Sequence, residues 1–311
     1  MKTFVNKSFV FLIPLICLFL LMEVRIRQIP TYLSLKKEFL ESQLDEIEVL
    51  STGHSYGDAI NPRFFDRRTF NLFNDAEDLY YDLKVIEKYL GQMPQLRAVL
   101  IPISYFSLDY RLEHSPWAWR APFYKFIFNI PPSDPCSNLN PGYYSHVIAY
   151  GWREVLGFLG TNFADQMTNM MYQDGWREVG IKGLIEGKES VRAGQQSIEY
   201  LETILKKPEN LAFNIPLLKS FIEKCKSKNI EVILFTPPAF HNYYDYINPE
   251  KYQRMQGEIS QIVLEFDIPY YDFLKDLRFN ASDFYSIDHV NDLGAEKFSR
   301  IMNEIVNDVL N

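Results

Sequence analysis

The sequence predicts an α/β fold, a three-layer sandwich around a central, mostly parallel sheet, preceded by an N-terminal membrane helix. Three observations carry this expectation. Short β-rich runs alternate with helically spaced apolar patterns, the signature of βαβ units. One run, LRAVLIPIS at 96–104, is almost wholly apolar, as a strand buried on both faces of a parallel sheet must be. Residues 8–22 are uncharged, with Lys2 and Lys7 before them and Glu23, Arg25 and Arg27 after. A chain of 311 residues, 47% hydrophobic and 15% aromatic, can bury a substantial core on the scale of one main domain.

The uncharged run is short for a spanning helix, which needs about 17–25 residues. Phe4, Val5 and the stems of the flanking Lys and Arg residues extend it. A cleaved signal peptide also suits the length, but charged and bulky residues stand where a small-x-small cleavage site belongs, which favours a retained anchor. PLIC, ending at Cys17, likewise lacks the small residues of a lipoprotein site. Basic residues flank the run on both sides, so charge alone does not orient it. The organisation expected is an anchor at 1–28, a linker helix at 29–45 and an α/β domain at 46–311.

Within that domain, IEVLSTG at 47–53 reads as the first strand and TFNLF at 69–73 as the second. A helix follows at 75–92, where Leu79, Leu83, Ile86 and Leu90 keep helical spacing behind an acidic start. The apolar run at 96–104 is the third strand. From about 109 to 197 the rhythm breaks into turn formers and aromatics, which reads as an insertion. It resumes with an amphipathic helix at 215–229, a strand at 230–240 ending at two prolines, a helix at 249–266, a short strand at 268–273 and a final helix from 291.

A formal net charge of −8 and a pI near 5.3 give no basic footprint, so nucleic acid is not an expected partner. Cys17, Cys136 and Cys225 fit no zinc spacing and leave at most one disulfide, Cys136 to Cys225, with no disulfide the favoured reading. His114, His146 and His241 lie in unrelated contexts, so neither a metal nor a cofactor is expected.

Chemistry is suggested by VLSTGHSYGD at 49–58. Ser55 stands between Gly53 and Gly57 on the loop leaving the first strand, where open α/β sheets place ligands and glycines permit a sharp turn. The plain alternative is a turn serine bonding its own backbone. A nucleophilic serine needs a base, and DFYSIDHVNDLGAEKF offers His289 just before the final helix. His289 has its own plain reading, a helix cap or a buried hydrogen-bonding histidine. His54, adjacent to Ser55, is poorly placed to turn its ring toward its neighbour's side chain.

With its Gly-x-Ser after the first strand and DHVNDLGA opening the last helix, the sequence resembles the SGNH/GDSL-type hydrolase superfamily. The resemblance covers most of 46–311 outside the insertion and implies an SGNH/flavodoxin-like sandwich. EVRIRQIPTYLSLKKEFL, GHSYGDAINP, FNLFNDAEDLYYD and VLIPISYFSL are similar to membrane-anchored bacterial members found with cell-surface polysaccharide genes, and to proteins that acylate envelope polymers. The chain departs from the superfamily in two places. The usual Asp-x-x-His reads Ser286-x-x-His289, leaving Asp288 or Ser286 to orient the imidazole, with Ser286 slightly favoured because adjacent side chains point apart. The usual Gly-x-Asn-Asp block is missing, so the oxyanion-hole candidates are backbone N–H groups around Ser55, including that of Tyr56, with Asn71, Asn74 and Ser104 as side-chain donors.

These residues and the resemblance together imply a serine-dependent esterase or O-acyltransferase acting on a cell-surface polysaccharide or other acylated glycan. It would be held at the membrane by its N-terminal helix, with the domain outside the cytoplasm. The alternative is a non-catalytic polysaccharide-binding protein, or a partner of a membrane acyltransferase, on a degenerate site. Trp117, Trp119, Tyr143, Tyr144, Trp152 and Trp176 are candidates for a sugar-stacking cleft, with packing as the default role.

Overall fold

The computed structural model describes residues 2–151, 171–184, 188–204 and 209–311. Five strands form one parallel sheet: β1 (Val49–Ser51), β2 (Thr69–Asn71), β3 (Ala98–Pro102), β4 (Glu231–Thr236) and β5 (Tyr270–Asp272). Their spatial order is β2-β1-β3-β4-β5. Each strand lies within a run expected from sequence, shortened to the residues that pair. In the register, Val49 sits beside Thr69 on one side and Ala98 on the other.

Alternation along the strands divides the core in two. Leu50, Val99, Ile101, Val232 and Leu234 face one cluster, and Val49, Ala98, Leu100, Ile233 and Phe235 face the other. The first is covered by α2 (Tyr32–Glu41), α3 (Leu79–Tyr89), α7 (Glu209–Lys226) and α8 (Pro249–Phe266), and the second by α9 (Asp292–Leu310). That makes three layers. Each fully buried large side chain contributes about 1.5–3 kcal/mol relative to exposure.

The helix expected within 29–45 is α2, and it is packed against the domain, burying Leu33, Leu35, Lys36 and Leu40. Lys36 Nζ donates to the carbonyls of Asn71 and Phe73, tying α2 to the exit of β2. Described residues of the insertion enter the core: Leu112 and Tyr143, with Phe123, Tyr124 and Phe128 of α4 (Ala121–Phe128), pack into the first cluster. Besides α4 it carries α5 (His146–Tyr150) and most of α6 (Lys188–Ile204). The three cysteines are free, so the Cys136 to Cys225 bridge is not formed.

The N-terminal run is helical, α1 (Lys2–Arg27), with exposed side chains at 10–21. The expected spanning helix is not found: among the described residues, no helix is long and apolar enough to cross a membrane. The first described side chain is Val10, inside the uncharged run at 8–22.

Candidate active site

The strand order reverses direction between β1 and β3, the switch point at which such sheets open a crevice at their carboxyl ends. Ser55 lies there, on the short 3₁₀ helix Ser55–Ala59 that follows β1. Gly53 has φ +126°, and a Cβ on it would sit 2.2 Å from Pro102 Cγ. A Cβ on Gly57 would lie 2.5 Å from Phe73 Cβ, so both positions require glycine. Buried Asp82 accepts from Thr52 Oγ1 at 2.9 Å and from Gly53 N at 3.2 Å. From the other side, Trp176 Nε1 donates to the Asp58 carbonyl at 2.9 Å. The turn is therefore held at both ends.

His289 sits on a two-stranded antiparallel hairpin, β6 (Phe284–Ser286) and β7 (His289–Val290), rather than on a loop. Ser286 pairs with His289, so Ile287 and Asp288 form the tight turn between them. That turn overcomes the divergence of adjacent side chains. Asp288 Oδ1 lies 3.0 Å from His289 Nδ1, whereas Ser286 Oγ is 3.3 Å from it and donates to Asp288 Oδ1 at 2.7 Å. The preference for Ser286 is thus corrected: the carboxylate reaches the imidazole and the serine supports the carboxylate. Tyr56 adds a second support, donating its hydroxyl to Asp288 Oδ2 at 3.1 Å while its ring stacks on that of His289 at 4.7 Å.

Burial opposes charge on both partners, but their attraction prevails. His289 is raised to about 9 by Asp288, with Asp58 and Asp75 adding to it, and Asp288 is held at about 2 by His289 and by hydrogen bonds from His289, Ser286 and Tyr56. Burial, then the His289 charge, lowers His54 to about 3. His54 is structural: Nδ1 accepts from Tyr56 N, and Nε2 contacts Ser104 Oγ and Ser107 Oγ at 3.1 and 3.0 Å.

Ser55 and His289 line one cavity of about 330 Å³. No hydrogen bond joins them, and Ser55 Oγ bonds to nothing among the described residues. Three of the four oxyanion candidates fail on geometry. Asn71 donates to the Gly57 and Ile60 carbonyls, Asn74 to Tyr124, and Ser104 is held by His54 and Ser107; none lines this cavity. Tyr56 lines it, with its N–H directed at His54. The backbone N–H groups of Ser55 and Ala76 make no hydrogen bond among the described residues, and both residues line the cavity, Ala76 at φ +58°.

Several participants had no sequence signal. Asp75, held by a bidentate pair with Arg177 at 3.1 and 3.2 Å, lines the cavity with Arg120. Asp58 was visible only as part of GHSYGD. It is buried, accepts from Tyr285, has its Oδ1 without a hydrogen bond among the described residues, and is pushed up to about 7 by burial. Of the candidate sugar-stacking aromatics, Trp117 lines the cavity with Phe106, Tyr110 and Tyr200, while Trp119 lines a neighbouring one. Tyr143 and Trp176 are buried, Tyr144 is exposed, and Trp152 lies outside the described residues.

No family model matches the chain, and no curated protein matches it. Among solved structures, the chain is similar to a Bacteroides fragilis protein assigned as an acylhydrolase, at 11% identity and TM-score 0.42, covering 88% of this chain and 97% of that one. It is also similar to a GDSL-like lipase from Bacteroides thetaiotaomicron, at 10% identity and TM-score 0.43, covering 90% of this chain and all of that one.

Proposed function

We propose that the chain is a serine esterase or O-acyltransferase of the SGNH type, working on an ester-linked acyl group of a cell-envelope carbohydrate. The observation that carries this reading is the His289–Asp288 pair, buttressed by Ser286 and Tyr56, lining the same cavity as an unbonded serine hydroxyl on a glycine-enforced turn. In the forward step Ser55 Oγ forms a bond to the ester carbonyl carbon and its proton passes to His289 Nε2. Collapse breaks the ester C–O bond, and the leaving alkoxide takes that proton. Water or a sugar hydroxyl then attacks the acyl-serine, gives its proton to His289, and releases the acid or a new ester while Ser55 recovers its hydrogen. Trp117 and Tyr200, partly exposed in the cavity lining, supply ring faces suited to a sugar. The exposed apolar side chains of α1 suit attachment to a membrane, with the domain on its outer side.

A fluorophosphonate is the direct test, since it labels only an activated serine. One adduct on Ser55, absent from Ser55→Ala, is expected. The missing Ser55–His289 hydrogen bond favours a second reading, a glycan-binding protein or partner of a membrane acyltransferase. No labelling with intact glycan binding would select it.

A further inference from the structure

We infer that the Ser55 cavity takes an acidic saccharide, whose phosphate or carboxylate docks on the guanidinium of Arg120; this deepens the esterase reading and rests on it. Charge on the cavity wall is balanced except at that residue. Besides tyrosines, the ionisable groups lining the cavity are His54, Asp75, Glu77, Arg120, Asp288 and His289. Asp288 lies 3.0 Å from His289, and Asp75 is engaged by Arg177 through hydrogen bonds of 3.1 and 3.2 Å. Buried Glu77 is pushed well above the ordinary carboxylate range by burial and by Asp82, and burial keeps His54 neutral. The Arg120 cation is left over. It is half-buried and forms no ion pair among the described residues, and its Nη2 donates a long hydrogen bond of 3.4 Å to Asn74 Oδ1. A guanidinium withdrawn from water without a counter-charge is unfavourable, and its planar fork of N–H donors matches two oxygens of a carboxylate or phosphate. A neighbouring ring assigns the anion to a sugar. Trp117 and Arg120 bracket one 3₁₀ turn, closed by the bond from Arg120 N to the Trp117 carbonyl at 2.9 Å, and both line the cavity. A single turn thus presents an aromatic ring and an unpaired cation, which together suit an acidic sugar.

The test uses the full chain and a matched set of O-acetyl sugars: a methyl glucoside, its uronate, its phosphate monoester and its amino-sugar counterpart. The kcat/KM for the better anionic ester should exceed that for the neutral one by about 10- to 100-fold, mostly through KM, with the amino sugar lowest. Whether the uronate or the phosphate leads identifies the oxyanion. Arg120→Gln should bring the anionic-to-neutral ratio to about one, and Arg120→Lys, a point charge without the fork, should restore part of it. Phenylglyoxal, which modifies unpaired arginines, gives an arm independent of Ser55 reactivity. Glucuronate or glucose phosphate should slow modification of Arg120 while glucose does not, with exposed Arg25 as the unprotected control. Protection of Arg120 on a chain whose Ser55 fails to react with a fluorophosphonate would uphold the acidic-sugar site and sink the esterase reading. A reactive Ser55 with equal kcat/KM across the set, or with an anionic preference that survives Arg120→Gln, would overturn the Arg120 assignment and leave the esterase reading standing. Absence of protection by both anions would overturn the site whatever Ser55 does.

Discussion

At the scale of residues, the deciding contact is the one from Asp288 to His289 Nδ1 at 3.0 Å. In the proposed reaction a carboxylate there would fix the tautomer and stabilise the imidazolium formed when Ser55 gives up its proton, which a serine would do only in part. Asp288→Asn should therefore lower kcat by about 10⁴ with the fold intact. Ser286→Ala removes one hydrogen bond to Asp288, worth about 1 kcal/mol, and should cost roughly fivefold. Ester hydrolysis by the variants, against Ser55→Ala as blank, measures both; equal losses would return the orienting role to Ser286. The pH profile is set by the same charges. General-base action needs neutral His289, whose pKa lies at about 9, so kcat/KM should rise through that pH. Asp288→Asn removes the main charge raising it and should move that limb toward the ordinary histidine value of about 6.5. The stability linkage has the matching sign. A raised histidine pKa stabilises the fold fully below about pH 6.5, and that contribution is lost as pH rises through about 9.

At the scale of elements, the turn after β1 depends on backbone shape more than on side-chain chemistry. Gly53 combines positive φ with a Pro102 contact that leaves no room for a methyl group. Gly53→Ala should cost about 2–5 kcal/mol in chemical denaturation. Gly91, whose added Cβ would meet nothing within 4 Å, is the control, and Gly91→Ala should change stability by less than about 0.5 kcal/mol. The β6–β7 hairpin is the second device. Asn291, directly after it, accepts from Leu293 N and Gly294 N at 3.0 Å each, so the start of α9 sets where His289 stands.

At the scale of the whole molecule, the N-terminal segment divides into two parts. Removing 1–21 keeps Met22 and keeps Glu23, which accepts from Ser145 Oγ and from His146 N and Val147 N at the start of α5. That variant should melt within a few degrees of the full chain. Removing 1–45 also deletes α2, with buried Leu33 and Leu40 worth about 1.5–3 kcal/mol each and the Lys36 bonds to the β2 exit. Against a typical margin of about 5–15 kcal/mol, and with the core face under α2 opened to water, it should lose cooperative unfolding in circular dichroism. The sequence by itself determined the α/β class, the five strands of the sheet and the helices behind β1–β5 at 79–89, 209–226, 249–266 and 292–310, and it singled out Ser55 and His289 as candidates. All of these are written in local periodicity, in glycine spacing and in short motifs at strand ends. Tertiary structure alone decided which acid contacts His289, because Asp288 reaches Nδ1 only through the Ile287–Asp288 turn. It alone withdrew Asn71, Asn74 and Ser104 from the oxyanion role, because their hydrogen bonds join segments tens of residues apart or close within folded loops. It alone brought Asp75 and Arg120 to the site, paired Asp75 with Arg177, and packed Leu112, Tyr124, Phe128 and Tyr143 into the core. Long-range packing leaves no periodic trace in the chain, so composition and spacing could reveal that these residues existed but not where they would meet.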